Sequence, residues 1–165
     1  MKGSTKVRLG MAAMALGTVA VAALPASAST GSASIAGTGQ LSRGLTQAGD
    51  PGQTFTFGGS GALATDSAQG TINCAVSGND TIGSWSQGAG SFSGTCTGAA
   101  SASVAGNYVR TGGTVTVSGT ASGGFSGGFN GACAFSPTNV DPGSNPPSTL
   151  KITAFAVSCT FTIGV

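Results

Sequence analysis

The chain has 165 residues, six Lys and Arg against four Asp, no Glu and no His. Three of the six cations lie in the first eight residues. From residue 29 on, Arg43, Arg110 and Lys151 face Asp50, Asp66, Asp80 and Asp141, a net charge of −1. Three scattered cations give no basic stripe to displace counterions from a phosphate backbone, so nucleic acid is excluded as a partner, and an anionic membrane surface with it. The lack of histidine removes the usual general base and the commonest metal ligand together.

Lys2, Lys6 and Arg8 precede an apolar run from Leu9 to Leu24 and then Pro25-Ala26-Ser27-Ala28. This is the order of a secretory signal peptide. Cleavage is expected after Ala28, giving a signal peptide over 1–28 and a single secreted domain over 29–165. With no Cys after the apolar run and no hydrophobic tail at the C-terminus, a released, extracellular protein is expected, with no membrane association after cleavage. In that domain Leu, Ile, Val and Phe make 25 of 137 positions, a thin supply for a core. Four cysteines in an exported chain compensate, since the oxidising compartment lets them pair.

No sustained helical period follows residue 30. Short alternating runs appear instead. Phe55 and Phe57 share a face in Gln53–Phe57; Ile72, Cys74 and Val76 share one in Thr71–Val76; Thr114–Val117 repeats the pattern. In the last run Phe155, Val157, Cys159, Phe161, Ile163 and Val165 recur at period two. This is the signature of strands buried on one side. Asp50-Pro51-Gly52 and Asp141-Pro142-Gly143 predict turns, Gly78-Asn79-Asp80 and Asn130-Gly131 predict hairpins, and Ser136 to Ser148 predicts the longest loop. The expected architecture is all-β: an antiparallel β-sandwich, immunoglobulin-like or similar, of about seven to nine strands.

All four cysteines fall on inward parities, Cys96 with Phe92 and Cys133 with Phe135. Of three connectivities, Cys74–Cys96 and Cys133–Cys159 are favoured because each closes one hairpin-like excursion. Each bridge contributes roughly 3 to 4 kcal/mol by the loop-entropy estimate. No C-x-x-C spacing occurs, so neither a metal nor a cofactor is expected.

Gly124-Phe125-Ser126-Gly127-Gly128 matches the G-x-S-x-G form of a nucleophile elbow. An elbow serine needs a base and a strand-to-helix turn, and the chain supplies no histidine and no such helix. Ser126 is therefore read as part of a glycine-rich bend whose Phe125 and Phe129 dip into the core. The four aspartates are read as turn formers. A carboxylate dyad or a calcium site drawn from them is the competing reading. Trp85, flanked by Ser84 and Ser86, is the candidate binding residue, a platform that Tyr108 and Asn107 would complete. Its alternative role is to plug the core or cover a disulfide.

The leader KVRLGMAAMALGTVAVAALPASA and the segments GTINCAVSGNDTIG, GAGSFSGTCTG, NYVRTGGTVTVSGTA and GACAFSP resemble small secreted Gly/Ser/Thr-rich, four-cysteine, β-rich proteins of high-GC Gram-positive bacteria, a group with no assigned function. The resemblance implies a bacterial exported protein and brings no catalytic residue. The enediyne-binding apoproteins are similar in architecture alone, since their cysteines close much shorter loops. The expected function is non-enzymatic: extracellular binding or a structural role at the cell surface, with an unknown extracellular ligand, wall polymer or other copies of the chain as partner. The alternative is a carrier of a small hydrophobic ligand, and third an Asp-dependent secreted hydrolase. A Phe-lined pocket with Trp85 at its rim would favour the carrier, and a flat Trp85 patch would favour surface binding.

Overall fold

A computed structural model describes residues 28–141 and 151–165. Apart from Ala28, the expected signal peptide lies outside the described residues, as does most of the expected loop before Ser148. Eight strands follow one another: β1 Gly31–Leu45, β2 Gln53–Thr65, β3 Gln69–Asp80, β4 Gln87–Gly98, β5 Ala102–Thr111, β6 Thr114–Gly123, β7 Gly127–Asp141 and β8 Lys151–Ile163. Each pairs antiparallel with its neighbours in sequence, and β8 pairs back onto β1 from Gly31↔Ile163 to Gln40↔Ala154. The result is a closed up-and-down barrel. It corrects the expected sandwich. Period-two alternation and regular turns specify antiparallel strands with an inner and an outer face, and both architectures share that pattern. What separates them is pairing of the first strand with the last, which leaves no open edge.

Closure shears the sheet. Gly37 pairs Gly59, Gly59 pairs Cys74, Cys74 pairs Cys96 and Cys96 pairs Ala102. A line across the strands from the middle of β1 thus reaches the first residue of β5 halfway round. The strands tilt steeply, as an eight-stranded barrel requires.

The predicted strand segments lie in strands, except that β8 ends at Ile163, short of Val165, and three predicted connections move. Gly78-Asn79-Asp80 ends β3 rather than turning, the hairpin loop being Thr81–Ser86, and Asn130-Gly131 lies inside β7. Ser136 begins no loop, because β7 continues to Asp141 against β8 with register shifts around Asn139. Pro137 is tolerated there because β6 no longer flanks β7 beyond Ala134. Both predicted disulfides form, Cys74–Cys96 and Cys133–Cys159, each joining residues directly opposite in register on adjacent strands. One staples β3 to β4, the other β7 to β8, on opposite walls.

The bore is lined by a repeated device. Six of the eight phenylalanines stand directly across from an inward glycine: Phe55 from Gly78, Phe57 and Phe155 from Gly39, Phe92 from Gly106, Phe129 from Gly119 and Phe161 from Gly131. A methyl group on Gly39 or Gly131 would meet the Phe155 or Phe161 ring first; on Gly78, Gly106 or Gly119 it would stand 2.6, 2.9 or 2.7 Å from the facing ring, with a backbone carbonyl of an adjoining strand nearer still. Ring and neighbouring backbone together take the space of the missing side chain. The outer wall carries Ser, Thr, Asn, Gln, Ala and Gly, with Val109 and, near the rim, Val140 as exposed exceptions. Among the described residues its charged side chains stand near the rims, Arg43 with Asp50 among them.

One end of the bore is closed by Phe125, which is buried in the β6–β7 connection as the sequence suggested. The Ser29 amide donates to the Ser126 carbonyl at 2.6 Å, and the Ser126 amide donates to Ser29 Oγ at 3.1 Å. Ser126 thus fastens this plug to the segment before β1.

Replacing Cys133 and Cys159 together by Ser is expected to lower unfolding free energy in urea by about 3 to 4 kcal/mol. Peptide mapping without reductant should recover only the two hairpin pairs. Gly119→Ala should cost at least about 1 to 3 kcal/mol in urea unfolding, because the methyl group meets the Ala105 carbonyl oxygen as well as the Phe129 ring. Trimming the ring, in Gly119→Ala with Phe129→Leu, should leave most of that cost in place, since the backbone carbonyl stays where it is.

Candidate ligand cavity

Burial along the bore is uneven. At the Phe125 end Leu63, Ile72, Ala121, Phe129 and Ile163 are buried, and at the far end Leu45, Gln53, Asp80 and Arg110 are too. Between them the inward Ile35, Phe57, Val76, Val104, Val117 and Val157 are only half-buried. Side chains that point at the axis and remain accessible enclose a hollow. Its volume is about 180 Å³, and its lining runs the length of the bore. Two aromatic groups bound it: Phe129 edge-on to Phe161 at 5.7 Å, with Phe92 beside them, and Phe55 edge-on to Tyr108 at 5.6 Å, with Phe155 stacked on Phe135 at 5.4 Å. All four cysteines also line it.

Among the described residues, the ionisable side chains in the lining, disulfides aside, are Asp80, Tyr108 and Arg110, gathered at the end away from Phe125. Arg110 is 3% exposed on the inward face of β5. Its guanidinium donates to the carbonyls of Trp85 at 2.7 Å, Gln87 at 2.8 Å, Gly112 at 3.3 Å and Ser84, and lies 4.8 Å over the Phe135 ring. Burial pulls its pKa down and the charge of Asp80 acts against that. An arginine with four carbonyl acceptors and an aromatic face keeps its proton in the interior. It also pins the Thr81–Ser86 loop from below.

That loop crosses the mouth. The Trp85 amide donates to the Thr46 carbonyl at 3.0 Å, its indole Nε1 donates to the Leu45 carbonyl at 2.9 Å, and the Thr46 amide donates to the Gly83 carbonyl at 3.1 Å. Asp80 Oδ1 accepts from the amides of Ile82 at 2.9 Å and Gly83 at 2.7 Å, the local turn bonding expected of it. Beside it Gln53, fully buried, donates to the carbonyls of Gly44 and Asp50, while its Oε1 has no partner.

The predicted binding residues do not meet on one surface. Trp85 is half-buried in the loop over the mouth, where its ring nitrogen is already bonded. Tyr108 points into the bore and Asn107, its neighbour on β5, points out beside Ser91 and Ser118. The aspartates are dispersed: Asp50 is forked to Arg43 at 3.0 Å, which lowers its carboxyl pKa, and Asp66 accepts from Thr30 at the opposite end. Arg110 was not among the predicted site residues, although its signal is present: it falls on the inward parity of Val104, Gly106 and Tyr108. A cation on that parity has to be satisfied inside the barrel.

No protein family, curated protein or solved structure matches the chain.

Tyr108 is the chain's single tyrosine, so alkaline titration of the phenolate absorbance reads it alone. Burial first, and then the neighbouring Asp80 charge, push its pKa above the ordinary phenol value. The native state therefore holds this proton more tightly than the unfolded chain. Its contribution to stability is complete below pH of about 10 and is lost as pH rises beyond that. The folded protein should ionise at higher pH than the urea-unfolded chain, with stability falling over that interval.

Proposed function

We propose that the protein is a secreted, non-enzymatic carrier that holds one small hydrophobic molecule in the bore of its barrel. The observation that supports this reading is the hollow between the two aromatic groups, apolar along almost its whole lining. An apolar cavity of about 150 Å³ stays dry and takes a benzene-sized ligand. This one is slightly larger. Its size suits a molecule of about seven or eight non-hydrogen atoms rather than a drug-sized one, for which pockets run to several hundred Å³. The Phe-lined cavity with Trp85 over its mouth is the arrangement that separates a carrier from a surface binder. Two disulfides fit an extracellular setting. The wall's polarity, hydroxyls outward and rings inward, is the reverse of a lipid-facing barrel.

A second reading, adhesion to wall polymer or to other copies of the chain, draws on the outer wall. Its mid-section presents neutral hydroxyl and amide groups and no charge among the described residues. It differs from the carrier in needing no cavity.

Calorimetric titration of the oxidised protein with toluene should detect binding at one site. Val117→Phe, which fills the hollow, should weaken it at least tenfold while changing unfolding free energy by less than about 1.5 kcal/mol. Toluene binding that is untouched by this substitution would place the ligand elsewhere and remove the basis of the proposal.

A further inference from the structure

The polar end of the cavity has two unused hydrogen-bonding positions. Asp80 spends Oδ1 on the Ile82 and Gly83 amides, and its Oδ2 has no hydrogen-bond partner among the described residues. Arg110 spends Nη1 and Nη2 on four carbonyls, and its Nε is left over. Both side chains are almost completely buried and both line the cavity. They converge over Gly88: a methyl group built there would stand 2.8 Å from Asp80 Oδ2 and 3.2 Å from Arg110 Nε. Yet the two charges are not within ion-pair distance of 4.0 Å of each other. The Tyr108 hydroxyl donates to the Asn79 carbonyl at 3.2 Å and lies beside the Asp80 carboxylate, a neighbour that a ligand hydroxyl would share.

An acceptor atom and a donor atom that make no hydrogen bond, on buried side chains that line the same apolar hollow, define the head group that fits them. A hydroxyl donates and accepts at one atom. A carboxylate would face the Asp80 charge, an ammonium would face the Arg110 charge, and a pure hydrocarbon would leave both groups unsatisfied at the usual cost of a buried polar atom. We infer that the cavity takes a small neutral alcohol or phenol, with its apolar body among the aromatic rings and its hydroxyl donating to Asp80 Oδ2 while accepting from Arg110 Nε. This assignment rests on the carrier reading and adds the chemical class of the ligand. A site built to bond a hydroxyl discriminates strongly against the analogue that lacks it.

The test is calorimetric titration of the oxidised, full secreted protein with three probes of one shape: toluene, benzyl alcohol and benzoate. Benzyl alcohol should bind roughly tenfold more tightly than toluene, the worth of one charge-assisted hydrogen bond, and benzoate more weakly than either. Asp80→Asn keeps an acceptor at Oδ1 for the turn and replaces the Oδ2 acceptor with a donor. In that variant benzyl alcohol should fall to the level of toluene, and toluene should be unchanged. The comparison in the unaltered protein decides the question even where the variant fails to fold. Benzyl alcohol no tighter than toluene, benzoate tighter than the alcohol, or a preference that survives Asp80→Asn in a folded variant would each overturn the head-group assignment and leave the carrier standing. No binding of any of the three probes would overturn both.

Discussion

A sheet closed on itself with eight strands brings every inward side chain toward one axis, and the space there is too narrow for a large residue at each position. The barrel meets that limit by setting rings against glycines across neighbouring strands. A phenyl ring lying over a glycine covers the backbone of the adjacent strand and occupies the volume its partner gave up. Glycine in a strand is costly by itself, since it loses much conformational entropy and contributes no side chain. Burial of an aromatic face in return offsets that cost. This is how a chain with few large apolar residues closes a barrel at all. Each glycine is also a point where the sheet can bend sharply, so the same residues serve curvature and core.

The distribution of charge follows from the narrow bore. A cation near the axis must be fully bonded, and Arg110 is, through backbone carbonyls of the loop that covers the mouth. Carbonyls are acceptors that a loop exposes wherever it turns, so the arginine both satisfies itself and fixes the loop. The plug at the other end carries no such charge. There Phe125 supplies apolar burial, and Ser29, Ser67 and Thr65 link hydroxyls around it. One end is thus held by electrostatics and the other by burial, while the disulfides hold two hairpins on opposite walls.

Much of this was legible in the residues. Period two in Thr71–Val76 and Phe155–Val165 gave strands, parity placed the cysteines inward, and hairpin-sized separations gave their pairing. Phe125 and Phe129 could be assigned to the core for the same reason. Closure was not legible, because nothing in the alternation of β1 or β8 says which strand lies beside it. The glycines misled: at Asn130-Gly131 a turn dipeptide sits inside a strand, since Gly131 faces Phe161 and is there for space rather than for a turn. The turn bonding of Asp80 is legible from its place after Asn79, but one of its oxygens alone takes part in it. Trp85 looked like an exposed platform because Ser84 and Ser86 flank it, yet its indole reaches across to β1 through a contact 40 residues distant in sequence. A single strand's parity carries no information on such contacts.

The hollow itself remains to be explained, since the same constraint that crowds the bore leaves it unfilled at its waist. Val76, Val117 and Val157 occupy inward positions where a longer side chain would reach the axis. Unfilled apolar space forfeits packing contacts, and a chain already short of apolar residues has no energetic reason to keep it. A ligand present at about a hundred times its dissociation constant would add about 2.7 kcal/mol. On this accounting the cavity and its occupant form one stability unit. The valines at the waist are then where the barrel gives up packing so that a guest can supply it.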